Sequence, residues 1–159
     1  MSESKAVDRF YDYLQSILAI YRDMIPVLMN EIEYIKSEDI SGLDGALKLQ
    51  QAMLLRTKNF DVRVMAYLKE LGISADNLSL TVQQLPEEER FRFYSFLGEF
   101  DQVMEQVSFY KGKCRELLHT RLYQMDKQAV NSGLSDGLTY DEYAGGNKPS
   151  YSKVFEKKI

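Results

Sequence analysis

The stretch from Pro86 to about Asn131 constrains the fold more than any other part of this 159-residue chain. Pro86 is followed by Glu87, Glu88 and Glu89. Proline is pre-set for the first turn of a helix, and acids suit the positive end of the helix dipole. Behind that start runs an inner row of Phe93, Leu97, Phe100, Met104, Val107, Lys111, Cys114 and Leu118. Its steps of three and four residues mark one face of a helix. Six acids and two bases lie between Glu87 and Glu105, against five bases and two acids between Lys111 and Lys127. That gradient complements the dipole along the whole length and predicts one continuous helix. At ~1.5 Å of rise per residue it is ~65–70 Å long. The expectation is an all-α chain, an elongated antiparallel bundle of three long helices.

The first of those helices is predicted from about Val7 to Lys36. Val7, Phe10, Leu14, Ile17, Tyr21, Met24 and Leu28 form one apolar row, and Tyr11, Leu18, Ile25 and Ile32 form a second beside it. Pro26 lies inside the pattern and removes one backbone hydrogen bond, which predicts a kink. Ser37, Asp39, Ser41 and Gly42 then supply turn and cap chemistry. A second long helix is predicted from there to Leu71, with Gly72 as the residue just past its end. Its inner row, Leu43, Leu47, Leu54, Val64, Leu68 and Leu71, is interrupted by Gln50, Thr57 and Asp61, so this helix is expected to be partly exposed. Residues 73–85 read as a connector with room for one short helical turn.

From Ser132 the chemistry changes. Gly133, Gly137, Gly145, Gly146 and Pro149 break every periodic pattern, which divides the chain into a helical domain, 1–131, and a mostly irregular C-terminal tail, 132–159. Yet Leu138, Tyr140, Tyr143, Tyr151, Val154 and Phe155 are scattered through the tail. A purely solvating tail has few aromatics. These side chains either dock on a partner, dock on the protein's own helices, or have no role. A similar choice attaches to Phe91, Phe93, Tyr94, Phe96 and Phe100, which cannot all face one way on a helix. They are core packing between long helices or an exposed aromatic patch.

Composition limits the function. Hydrophobic residues make up 45% of the chain, enough to bury a real core, and the formal net charge is −4, which disfavours a general nucleic-acid binder. The start of the chain is polar and unlike a signal peptide. No apolar run approaches the ~18 residues of a membrane span, so no membrane insertion is expected. A single cysteine suits a reducing compartment. Together these features point to the cytoplasm.

Enzyme chemistry has little to work with. Cys114 and the single histidine, His119, are five residues apart on a helix and point ~140° away from each other, poor spacing for a nucleophile–base pair or a metal site. A di-metal carboxylate bundle needs Glu-x-x-His on two helices, and only Glu116 and His119 provide one copy. No catalytic residue, metal or cofactor is expected.

Three features together resemble the FlgN-type flagellar export chaperone family. One is a long helix, a capped turn near Asp39, and a helix ending in Leu68-Lys69-Glu70-Leu71-Gly72-Ile73. Another is Leu85-Pro86-Glu87-Glu88-Glu89-Arg90, opening a long final helix that passes through Leu117-Leu118. The last is a tail beginning Tyr140-Asp141, with two glycines soon after and a lysine-rich end. Lys111 and Cys114 stand where family members usually carry asparagines. The resemblance implies a cytoplasmic chaperone that binds unassembled hook-associated (hook–filament junction) proteins by their terminal helical segments. It would prevent their premature association and deliver them to the flagellar type III export gate, without cofactor or turnover. The expected partner-binding residues are Leu138, Tyr140, Tyr143, Tyr151, Val154 and Phe155, with Tyr123 from the exposed part of the last helix. The alternative is a self-associating coiled-coil scaffold, and a homodimer is left open.

Overall fold

The computed structural model describes residues 2–74 and 76–131. Among these the chain is all-α. The helices are α1 (Ser2–Lys36), α2 (Ile40–Leu55), α3 (Phe60–Leu71), α4 (Leu78–Gln83) and α5 (Glu87–Asn131). The tail beginning at Ser132 lies outside the described residues.

Local chemistry explains each boundary. Past the end of α1, Glu38 takes the left-handed conformation (φ 58°). The Asp39 amide then donates to the Tyr34 carbonyl at 2.9 Å and the Glu38 amide to that of Ile35 at 3.2 Å, a Schellman closure. Asp39 then caps α2, its carboxylate accepting from the Gly42 amide at 2.9 Å. Gly42 suits the close approach here, because a Cβ would lie 2.5 Å from the Tyr34 ring and force it to move. Gly72 ends α3 as the sequence predicts, with φ 70° and the Ile73 amide bonded to the Leu68 carbonyl at 2.9 Å. Asn77 caps the short α4 by accepting from the Leu80 amide at 2.9 Å. Pro86 and the three glutamates open α5, which runs 45 residues. Pro26 lies inside α1 without interrupting it.

The second long helix differs from expectation: it is two helices. Between α2 and α3, the amides of Arg56, Thr57 and Lys58 bond three residues back, to Met53, Leu54 and Leu55, and the chain tightens. The Thr57 hydroxyl also donates to the Leu54 carbonyl at 2.7 Å, and Asn59 turns left-handed at φ 64°. Asparagine tolerates that conformation better than most residues. Gln50 and Thr57, which break the apolar row, are nevertheless buried, whereas Asp61 is exposed.

The chain divides into two compact units. Within the described residues the first comprises 2–22 and 53–105, and the second 23–52 and 106–131. The first unit is built on rings. Phe10 lies 5.6 Å from both Phe93 and Tyr67, Tyr13 lies 5.4 Å from Tyr67 and 5.8 Å from Phe60, and Tyr21 meets Phe100 edge-on at 6.1 Å. Phe10, Phe93, Phe96 and Phe100 are almost completely buried. Each contributes roughly 1.5–3 kcal/mol by burial, and well-placed ring pairs add ~0.5–1.5 kcal/mol. Ion pairs fasten the rim: Arg9 with Glu70, Arg92 with Asp8 at 2.6 Å, and Arg22 with Glu99 at 2.9 Å. Phe91 and Tyr94, by contrast, are exposed, so the aromatic crowd at the start of α5 is mostly core but partly surface.

The second unit buries Met24, Leu28, Ile35, Ala46, Val107 and Cys114, together with the polar Glu31 and Gln50. The Gln50 amide donates to Glu31 at 3.0 Å.

Candidate protein-binding surface

Among the described residues, Cys114 and Lys111 have their chemistry set by burial. Cys114 is buried, and its thiol donates to the Leu28 carbonyl at 3.6 Å. Burial first, and then the neighbouring Glu31 carboxylate, push the thiol far above its ordinary range, so no nucleophilic thiolate forms there near neutrality. Lys111 is pushed the other way, below its ordinary value, chiefly by desolvation and against the attraction of Glu31. His119 is exposed on α5. No group of acids, histidines or cysteines among the described residues is arranged to hold a metal, and no helix there is long and apolar enough to cross a membrane.

What stands out is the end of α5. Up to Cys114 the helix buries a residue every turn or so: Phe93, Phe96, Phe100, Val103, Met104, Val107 and Cys114. From Arg115 to Val130 no residue is buried. Within the second unit the reason is length. That unit holds residues 23–36 of α1 but 106–131 of α5, ~20 Å against ~40 Å of helix. Arg121 marks the level at which α1 stops, donating to the Lys36 carbonyl at 3.2 Å and pairing with Glu38 at 2.9 Å. Leu117, Leu118 and Leu122 are left half-buried around this clamp. Beyond it Tyr123, Met125 and Val130 are 63%, 58% and 65% exposed.

Tyr123 is therefore where the sequence places it, on an exposed stretch of the last helix. Among the described residues its ring is approached by Lys127, whose Nζ lies 6.0 Å from the centroid. The other expected binding residues, Leu138, Tyr140, Tyr143, Tyr151, Val154 and Phe155, lie outside the described residues. Met125 and Val130 were not foreseen as surface. The available signal was the apolar spacing Leu118, Leu122, Met125 and Ala129, which carries the inner row on for a further three turns. No protein-family model, no curated protein and no solved structure matches this chain.

Proposed function

We propose that this chain is a FlgN-type export chaperone. In this reading it works in the cytoplasm, binds unassembled hook-associated proteins through their terminal helices, and brings them to the flagellar type III export gate. The observation that carries the reading is the unburied end of α5, where Tyr123, Met125 and Val130 stand exposed on a helix longer than its neighbour. An amphipathic helix lacking a partner on one side is a ready dock for another, which supplies the missing apolar face and is itself kept from aggregating. The reading includes an antiparallel packing of three long helical stretches, the middle one interrupted at the turn before Asn59. It takes the residues after Asn131 as a second set of contacts, supported by their spaced aromatics.

Titration of the full chain against the terminal helical segments of a hook–filament junction protein tests this. Micromolar or tighter binding is expected, with Tyr123→Ala/Met125→Ala weakening it about tenfold, ~1.4 kcal/mol. A chain ending at Asn131 should weaken it by a similar factor. Absence of binding together with a concentration-dependent rise in mass by light scattering would replace the chaperone reading with the self-associating scaffold.

A further inference from the structure

A second surface, on the first unit, has a different character. The turn after α2 and the outward side of α3 expose Leu55, Val62 and Met65, at 67%, 68% and 56%. Beside them stand Arg56, Lys58, Arg63 and Lys69, all exposed. Between Met53 and Lys69 these four bases meet one acid, Asp61, a local charge of +3 in a chain whose total is −4.

Among the described residues, three of the four cations here are in no ion pair. Arg9, Arg22, Lys36, Lys48, Arg92, Lys113 and Arg121 each sit in an ion pair. Among the described residues Arg56, Lys58 and Lys69 make none, and Arg63 lies over the Tyr13 ring at 4.6 Å. Glu70, the nearest acid at the far end of α3, is taken by Arg9.

The geometry is that of a helix made to lie on a surface. At 100° per residue Val62, Met65, Ala66 and Lys69 share one side of α3. Lys58 and Arg56 stand just before that helix, and Lys69 stands in its last turn. Protein hot spots favour Trp, Tyr and Arg seated in pockets. Here the apolar members are Leu, Val and Met on the convex side of a single helix, with cations at both ends. A flat anionic layer complements that: shallow entry of the apolar side chains at the headgroup boundary, with lysine and arginine held to the phosphates. With Glu70 paired to Arg9, the four cations here outweigh Asp61, and charges more than a Debye length away, ~10 Å at 0.1 M salt, are largely screened.

We propose that the turn between α2 and α3, with the outward side of α3, is a peripheral docking site for anionic membrane surfaces. It does not depend on the chaperone reading, though a protein that hands cargo to a membrane-embedded gate would gain from it. The test is flotation of the full chain with vesicles of phosphatidylcholine alone or with about 30% phosphatidylglycerol, in about 0.05 M and about 0.3 M salt. Binding to the anionic vesicles at low salt is expected, falling at least tenfold at the higher salt. Arg56→Gln/Lys58→Gln/Lys69→Gln should lose tenfold or more, and Val62→Ser/Met65→Ser several-fold. All five side chains are exposed, so helicity by circular dichroism should stay unchanged in both variants. Should either variant unfold, the salt series on the unmodified chain still decides. Equal flotation with both vesicle types, or none at low salt, overturns the proposal. So does full binding by the charge variant. An acidic polypeptide such as polyglutamate binding this face while vesicles do not would make it a protein site, and overturn the lipid assignment.

Discussion

In the unit formed by residues 2–22 and 53–105 the interior is aromatic, with Phe10, Tyr13, Tyr21, Phe60, Phe93, Phe96 and Phe100 all buried. In the unit formed by 23–52 and 106–131 no described aromatic residue is buried, and Glu31 and Gln50 lie among the aliphatic side chains instead. The same two helices, α1 and α5, contribute to both. The difference teaches where stability and where selectivity reside. Rings bury a large area at low cost in side-chain freedom, so the first unit gains its stability chiefly from packing. A buried carboxylate gains little net energy, but it penalises any arrangement that leaves it without partners. We read the Glu31–Gln50 pair as setting the register in which α1 meets α2.

The largest effect that could break this comparison is Phe93→Ala. Phe93 is fully buried and packs against Phe10 at 5.6 Å and Tyr11 at 5.4 Å. The expected loss is about 3–5 kcal/mol in a urea titration followed by circular dichroism. A loss under about 1 kcal/mol would mean that the aromatic interior relaxes around the gap, and that packing is not what holds the first unit.

Next in size is the polar pair. Glu31→Ala removes the acceptor of Gln50 and the main attraction for Lys111, and should cost about 1–3 kcal/mol. Replacing both partners, Glu31→Leu with Gln50→Leu, should recover most of that loss, because two apolar groups leave nothing unpaired. If the double substitution is as unstable as the single one, the pair contributes stability outright, and its role in register falls.

How much of this the chain announces in advance depends on the kind of signal. The α5 helix was legible from Pro86 to Asn131 because proline, three glutamates and a steady three-and-four spacing all agree. Gly72 was legible because it is the residue that best takes a left-handed turn after a helix. The break before α3 was not: Asn59 has no fixed backbone preference, and the turn depends on amides that bond three residues back, which no side chain advertises. Gln50 and Thr57 read as exposure because polar residues in an apolar row normally mean solvent. They are buried because each finds a specific acceptor, the Glu31 carboxylate and the Leu54 carbonyl. Tyr123 reads as part of an exposed stretch of the last helix, and its side chain is exposed there. Met125 and Val130 escaped notice because periodicity shows which side of a helix is apolar, and does not show where the covering helix ends.

The smallest effect sharpens the comparison at high pH. Burial and Glu31 raise the Cys114 thiol above its ordinary value of about 9. A folded chain therefore keeps the thiol proton after an unfolded chain has released it. The stability this represents is complete below about pH 9 and is lost as pH rises above it. Lys111 works in the opposite sense. Its folded value is depressed below about 10.5, so above that depressed value the unfolded chain holds more protons and stability rises with pH until the ordinary value is passed. Tyr13 and Tyr21, raised mainly by burial, add a further loss above about pH 10. Comparing the unmodified chain with Cys114→Ala cancels the tyrosine contributions and leaves the thiol together with its charge interaction with Lys111. Urea titrations from pH 8 to about 10.5 should show the free-energy difference between the two chains shifting in favour of the alanine form, by at most ~1.4 kcal/mol per pH unit. A difference that stays flat would place the thiol in contact with solvent, and the contrast between a dry aromatic unit and a dry polar one would no longer hold.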